Sequence, residues 1–192
     1  SPQHWLTFDE IERIIRAFTE LGVARVRITG GEPLVRKNLP QLARQLKALP
    51  GLADLSISTN AVLLRRYAEA LHEAGITRLN VSLDSLDEHR FKRITGGDLK
   101  PVLDGLMAAK ETGFTPIKIN MVAMKGVNDD EFDNMVEFCL DHGFTLRLIE
   151  TMPVGATGMH ASNHYLDLQQ VKQQLAKRFD LMPGVMPGGG PA

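Results

Sequence analysis

Cysteine is almost absent from this chain, since Cys139 is the single cysteine among 192 residues. One thiol excludes an internal disulfide, and it excludes any metal or iron–sulfur site built from several cysteines of this chain. Cys139 lies among apolar residues at helical spacing. That position favours a buried structural thiol over a nucleophile.

A strong charge of either sign and long apolar runs are also lacking. The formal net charge is -1 with 23% charged residues, so composition gives no reason to expect nucleic acid or a membrane surface as a partner. No apolar run approaches the ~20 residues of a membrane-spanning helix, and the first residues lack a basic-then-apolar secretory pattern. With 43% hydrophobic residues the chain is typical of a soluble globular protein, and we expect it in the cytoplasm.

Helical spacing of apolar residues alternates with short β-rich segments along the whole chain. Strands are predicted at 24–29, 54–58, 78–83, 117–123 and 146–150. Helices are predicted at 8–21, 39–49, 62–74, 101–113 and 168–179, with one after each of the predicted capping pairs Ser85/Glu88 and Asn128/Glu131. Such alternation is typical of parallel βαβ units, which build either an open doubly wound sheet or a barrel.

The fold class that we predict is α/β, an incomplete parallel (β/α) barrel. Residues 1–180 would form this core, and the Gly- and Pro-rich residues 181–192 would be a linker or a truncated connection. A barrel of eight units usually takes about 250 residues, so a chain of this length holds only part of one. An incomplete barrel has an edge strand whose backbone N–H and C=O groups are unpaired, and a second chain could pair with them. A homodimer is therefore one partner arrangement that the predicted fold allows.

One face of the predicted sheet is polar. If the apolar strand positions face the helices, the opposite positions carry hydroxyls, amides and the cations Arg27, Lys118 and Arg147. A filled barrel interior is packed with branched aliphatic side chains, so this face indicates a large, anionic, polar ligand. The alternative is a solvated face whose cations reach out to water.

Glycines and polar residues stand where several predicted strands end. These segments are 30–32 (Gly-Gly-Glu), 58–60 (Ser-Thr-Asn), 82–84 (Ser-Leu-Asp) and 150–152 (Glu-Thr-Met). In parallel α/β folds the carboxyl ends of the strands meet at one edge, and ligands bind there. We therefore expect the four segments to converge on one mouth.

Several of these motifs occur together and in order in one known family. They are 27–34 (Arg-Ile-Thr-Gly-Gly-Glu-Pro-Leu), 58–60, 80–86 (Asn-Val-Ser-Leu-Asp-Ser-Leu), 94–96 (Ile-Thr-Gly) and 118–120 (Lys-Ile-Asn). The chain resembles the radical S-adenosylmethionine (SAM) enzymes. Within that superfamily it is most similar to the GTP 3′,8-cyclases of molybdenum cofactor biosynthesis. Gly-Gly-Glu-Pro marks the superfamily, whereas the 80–86 motif, Ile-Thr-Gly and Lys118 point to the cyclase branch.

The resemblance implies two sets of ligand contacts. Contacts with the cofactor SAM are implied at Gly31, Glu32, Ser82 and Met152. Contacts with the substrate GTP are implied at Arg27, Ser58 and Lys118. It assigns no catalytic side chain and no metal ligand within this chain. Ser58 stands where the family usually has threonine, and Ala61 stands where glycine is common; serine keeps the hydroxyl that could bind GTP.

The family's iron–sulfur chemistry has no counterpart here. The resemblance implies [4Fe–4S] clusters held by a Cys-x-x-x-Cys-x-x-Cys loop before the first helix and by a second cysteine set near the carboxyl end. It also implies cleavage of SAM to a 5′-deoxyadenosyl radical, hydrogen abstraction from the GTP ribose and cyclisation onto guanine. Because both cysteine sets are absent, we expect a central piece of a longer enzyme that does not turn over alone.

Two other functions stay open at this point. A radical SAM enzyme acting on a peptide would share Gly-Gly-Glu-Pro, but it would not need Arg27 and Lys118 on the polar face. A non-catalytic nucleotide-binding module would explain the missing cysteines directly.

The cysteine count generates the first testable prediction. The isolated chain, incubated with iron and sulfide, should bind no [4Fe–4S] cluster, because one thiol cannot replace the several thiolates that hold such a cluster. Iron analysis and visible absorbance measure this. A stoichiometric cluster band that Cys139→Ala abolishes would show the prediction to be wrong.

Overall fold

A single parallel β-sheet organises the computed structural model, which describes residues 5–151 and 163–184. Its strands lie side by side in chain order, and every neighbouring pair is parallel. They are β1 Arg25–Ile28, β2 Asp54–Thr59, β3 Arg78–Ser82, β4 Ile117–Ala123 and β5 Thr145–Glu150. All five predicted strands are confirmed, with ends that differ by one residue at most.

Helices connect successive strands. In the described residues they are α1 Phe8–Glu20, α2 Leu39–Lys47, α3 Leu64–Glu73, α4 Glu88–Thr95, α5 Leu99–Thr112, α6 Phe132–His142 and α7 Leu168–Leu175. A short 3-10 helix, Pro33–Val35, follows β1 and was not predicted. Neighbouring helices contact each other, α1 with α2, α2 with α3 and α3 with α5.

The strand order decides between the two architectures that the sequence left open. A doubly wound sheet reverses its strand order at a switch point, which puts helices on both faces. Here the order never reverses, so right-handed crossovers stack the helices on one face. This is the predicted incomplete parallel barrel, and its other face is free of helices in the part of the chain that the structure describes.

The hydrophobic core lies between the sheet and these helices. Alternate strand residues point into it, including Leu55, Ile57, Leu79, Val81 and Ile119, all of them buried. They pack against buried leucines and alanines of α2, α3 and α5. The alternation confirms the phasing that was used to predict the polar face.

Two predicted helix starts differ from the structure. Asp87, not Ser85, caps α4, because its carboxylate accepts a hydrogen bond from the Arg90 N–H at 2.7 Å. Asn128 and Glu131 make no side-chain cap for α6. They bind the segment after β3 instead, as described below. By contrast, α1 begins as predicted at residue 8, where Thr7 and Glu10 form a capping box with the Thr7 N–H 2.7 Å from the Glu10 carboxylate.

The β1 end of the sheet is poorly covered. In the described residues β1 pairs only with β2, and α1 has no buried residue although one of its faces is apolar. Phe18 is half exposed and Leu21 is 82% exposed. None of the helices in the described residues is both long and apolar enough to cross a membrane.

A close contact between α5 and the turn before α3 generates the second prediction. A Cβ atom added at Gly105 would lie 2.4 Å from the Ala61 carbonyl oxygen and 3.1 Å from the Leu64 Cβ. Gly105→Ala should therefore lower the free energy of unfolding by about 1–3 kcal/mol, although alanine ordinarily favours a helix. Urea denaturation measures this change.

Gly97→Ala is the control, because a Cβ atom there would meet only the Thr95 Oγ1 at 3.6 Å. We expect it to change the free energy of unfolding by less than about 0.5 kcal/mol. Equal stability of the two variants would contradict the close packing of α5 against α3.

Candidate functional site

The register of the sheet brings the predicted polar positions into rows across the concave face. Ser58 of β2 lies level with Asn80 of β3, which lies level with Lys118 of β4. Two residues further along, Ser82 lies level with Asn120, and Asn120 with Arg147. Arg27 of β1 lies level with Ser56 of β2. The predicted GTP contacts and Ser82 thus share one face of one sheet.

Four cations lie close enough on this face to affect one another. Burial lowers the pKa of the Lys118 ammonium, and repulsion from Arg147, Arg78 and Arg27 lowers it further. The sequence pattern predicted three of these four cations. It missed Arg78, although Arg78 has the same phase as Asn80, because Arg78 begins its strand. Asp54 pairs with Arg78 and balances part of the charge.

Two buried amide oxygens accompany the cations. Asn80 is 4% exposed, and its Oδ1 accepts no hydrogen bond from the described residues. The buried Oδ1 of Asn120 likewise has no donor among them. A buried acceptor without a donor costs roughly 1–3 kcal/mol, and it is uncommon in native proteins. The face therefore offers positive charge and free acceptors together, which suits a ligand that carries both anionic groups and hydroxyl or amine donors.

The glycine loop after β1 is open to close approach. Gly30 and Gly31 are exposed, and a Cβ atom added at either would meet nothing within 4 Å. The φ angle of Gly30 is 154°, in a region that residues with a side chain rarely adopt. A ligand can reach the backbone N–H and C=O groups of this loop, as the predicted SAM contact at Gly31 requires.

Glu32 ties the glycine loop to β2. Its Oε1 accepts hydrogen bonds from the Leu34 N–H at 2.9 Å and from the Thr59 hydroxyl at 2.7 Å. Its Oε2 accepts one from the Asn60 N–H at 2.7 Å. The carboxylate thus joins two segments that were predicted to meet at the mouth. A direct contact of Glu32 with SAM stays a prediction.

The end of β3 is the third part of the mouth. Ser82 is the last residue of β3 and is exposed. Asp84 follows, and its Oδ1 accepts a hydrogen bond from the Val122 N–H at 2.8 Å. Burial raises the pKa of this carboxyl. Met152, the other predicted SAM contact, lies outside the described residues.

A separate cleft of about 700 Å³ opens beside β1. Its walls include Arg27, Gly31 and Glu32, but they also include Ile15 and Leu42 on the helix side of the sheet. Of the four cations only Arg27 lines it. We therefore place the candidate site on the concave face, where the charges and free acceptors meet, and we attribute the cleft to the poorly covered edge.

The described residues contain no group of three or more His, Cys, Asp or Glu side chains that could hold a metal ion. Cys139 is buried in α6, and burial raises the pKa of its thiol to about 12. It is therefore a neutral structural thiol near pH 7, as predicted. The residues of this chain do not fit an iron–sulfur cluster.

A half-barrel with a glycine loop at its mouth and a cationic concave face defines a class of cofactor-binding α/β proteins. Comparison with known families identifies the class, because the model of the radical SAM superfamily matches residues 1–139. The chain belongs to the radical SAM superfamily.

Three similar curated proteins are GTP 3′,8-cyclases. The GTP 3′,8-cyclase of Petrotoga mobilis is 42% identical over 188 residues, which are 97% of this chain and 58% of that protein. That of Hydrogenovibrio crunogenus is 45% identical over 93% of this chain and 55% of its own length. That of Listeria monocytogenes is 46% identical over 88% and 54%. The chain spans little more than half the length of these relatives.

Solved structures show the same fold at low identity. A structure of anSMEcpe with bound AdoMet matches with a TM-score of 0.66 at 15% identity, covering 91% of this chain and 50% of that one. Coproporphyrinogen III oxidase of Escherichia coli gives 0.64 at 16% identity, covering 88% and 44%. HMG-CoA lyase of Bacillus subtilis gives 0.58 at 15% identity, covering 92% and 60%. These matches confirm the partial barrel fold. At such low identity they give no information about the substrate.

Glu32 provides the third prediction. Glu32→Gln replaces one carboxylate oxygen by an NH₂ group, which cannot accept a hydrogen bond. Either the Asn60 N–H or the Leu34 and Thr59 donors therefore lose their acceptor. The free energy of unfolding should fall by roughly 1.5–3 kcal/mol, the usual range for hydrogen bonds to a charged group. Chemical denaturation at pH 7 measures the loss.

Glu20→Gln serves as the matched control, because Glu20 is exposed at the end of α1 and makes no described hydrogen bond. Its stability should stay within about 0.5 kcal/mol of the wild type. A Glu32→Gln variant as stable as this control would rule out the proposed link between β1 and β2.

Proposed function

We propose that this chain carries the GTP- and SAM-binding face of a GTP 3′,8-cyclase. The observation that carries the proposal is the group of four interacting cations on a concave face that also holds two free amide acceptors. Relatives at 42–46% identity with that name support the substrate. A peptide substrate would give no reason to gather these cations.

GTP would bind along the row of Ser58, Asn80 and Lys118. Charge-assisted hydrogen bonds from Lys118 and Arg27 to phosphate oxygens offset the repulsion that these cations experience without a ligand. Ser58 offers a hydroxyl on the neighbouring strand. Bound triphosphate would favour the charged form of Lys118 and therefore raise its lowered pKa.

SAM would bind one step closer to the mouth. Ser82 lies two residues beyond Asn80, about 6.6 Å along the strand, and it is exposed at the end of β3. We assign the SAM amino acid group to the backbone of Gly31, with Glu32, Ser82 and Met152 as the other predicted contacts. The two ligands would then lie against each other, as a reaction between them requires.

The superfamily's cofactors are SAM and [4Fe–4S] clusters. This chain supplies no cluster ligands, so its own part is to bind and orient the two small molecules and to exclude water from between them.

We also propose, from composition and fold, that residues 1–180 act as one barrel core in the cytoplasm. Its partners would be GTP and a second copy paired through the β1 edge, with no nucleic acid or membrane among them.

Lys118 provides the fourth prediction, for the natural full-length protein. Lys118→Ala should weaken GTP binding by the loss of one charged hydrogen bond, roughly 1.5–3 kcal/mol, or about 10- to 150-fold in Kd. SAM binding should change much less, because Lys118 and the proposed SAM contacts lie on different strands. Separate titrations of GTP and SAM measure both. Arg27→Ala should act in the same way.

Lys110→Ala is the matched control, since Lys110 is exposed on α5, on the helix side of the sheet. Its GTP affinity should equal that of the wild type. Unchanged GTP binding by Lys118→Ala would favour a radical SAM enzyme that acts on peptides. A wild-type protein that does not bind GTP would overturn the cyclase assignment.

A further inference from the structure

The loop between β4 and α6 sends a buried carboxylate back to the end of β3. Glu131 is 6% exposed, and it lies more than forty residues from the groups that it binds. Its Oε1 accepts a hydrogen bond from the Ser85 hydroxyl at 2.6 Å. Its Oε2 accepts bonds from the Leu86 N–H at 2.8 Å and the Asp87 N–H at 3.3 Å. Three consecutive residues after β3 are thus bound by one side chain.

Asn128 of the same loop binds the segment next to them. Its Nδ2 donates to the carbonyl oxygens of Asp84, at 2.8 Å, and Val122, at 2.9 Å. Its Oδ1 accepts from the Met124 N–H at 2.8 Å. Asn128 is fully buried, so water does not compete for these bonds. Together Asn128 and Glu131 hold residues 84–87, and we call this pair the β3 clamp.

One cation balances the buried carboxylate. The Arg90 guanidinium of α4 lies 2.7 Å from the Glu131 Oε1, and it also pairs with Asp130. A buried carboxylate without such a partner would be costly. The contact with Arg90 therefore offsets the cost of burying Glu131, whose two oxygens accept from several donors at once.

The β3 clamp begins two residues after Ser82. Ser82 ends its strand, so its position depends on where the following residues are held, Leu83 by the Asn120 carbonyl of β4 and residues 84–87 by the clamp. Lys118 lies within β4, which is paired on both sides by β3 and β5, and Arg27 lies on β1 at the far side of the sheet. The clamp should therefore matter for Ser82 far more than for the cations.

We propose that Glu131 is a positioning residue that sets SAM affinity by fixing the end of β3, with no contact to SAM itself. This rests on the proposed function, in which Ser82 binds SAM. Glu131→Gln puts an NH₂ group against the Leu86 and Asp87 donors or against Ser85, so the segment must move. A shift of about 1 Å in a binding group is enough to weaken a ligand contact strongly.

The test uses the natural full-length protein with its iron–sulfur centre, and it measures three quantities: Kd for SAM, Kd for GTP, and Tm. Glu131→Gln should weaken SAM binding roughly 5- to 30-fold. GTP binding should stay within about 3-fold, as expected for a site that the change does not touch. This difference between the ligands is a result that general destabilisation would not produce.

Asp130→Asn is the matched control. Asp130 is the exposed neighbour of Glu131 and also pairs with Arg90, but it makes no described bond to residues 84–87. We expect SAM affinity equal to that of the wild type. Ser85→Ala removes one donor and should weaken SAM binding in the same direction, which keeps the test available if Glu131→Gln does not fold. In the double variant the two effects should not add, because both changes act on the same hydrogen-bond network.

The outcomes separate the two proposals. If the wild type binds SAM but no GTP, the cyclase assignment fails while the positioning role of Glu131 can still be measured. If the wild type binds both ligands and Glu131→Gln binds SAM normally, the positioning role is wrong. If SAM and GTP affinities fall together in both Glu131→Gln and Ser85→Ala, these residues are structural only, and the inference is equally wrong.

Discussion

Parallel pairing of five strands in chain order is the constraint on which the rest of the structure depends. Because the order never reverses, every crossover places its helix on the same face of the sheet. The alternate strand residues on that face form the hydrophobic core, and the other half of each strand is left on a concave face. Polar residues can occupy that face without reducing the core, so a stable fold and a charged site coexist in the same strands.

The concave face places function in conflict with stability. Lys118 has three arginines near enough to lower its pKa, and two buried amide oxygens beside it lack donors among the described residues. Each feature costs free energy in the protein without a ligand. A ligand with phosphate oxygens and hydroxyl groups would relieve both. Unfavourable electrostatics concentrated in one place are the expected mark of a binding site.

Two carboxylates stabilise the mouth in the same way. Glu32 binds the end of β2 from the loop after β1, and Glu131 binds the end of β3 from the loop after β4. Each accepts backbone N–H groups that would otherwise have no partner where the ladder ends. Side chains on loops thus hold the ends of β2 and β3, and the proposed SAM contact Ser82 lies at the end of β3.

The sequence alone determined the helices and strands, the face of the sheet on which each strand residue lies, and the family of this protein. Strand alternation and helical spacing act over a few residues, so they predicted all five strands and the polar positions Arg27, Ser58 and Lys118. The Gly-Gly-Glu-Pro motif, in order with the motifs at 58–60, 80–86, 94–96 and 118–120, indicated the superfamily. Only the tertiary structure decided which strands are neighbours, that Arg78 joins the cations, and that Ser85 bonds to Glu131 instead of capping α4. Hydrogen bonds between residues more than forty positions apart exist only once the sheet has formed, and no local pattern encodes them.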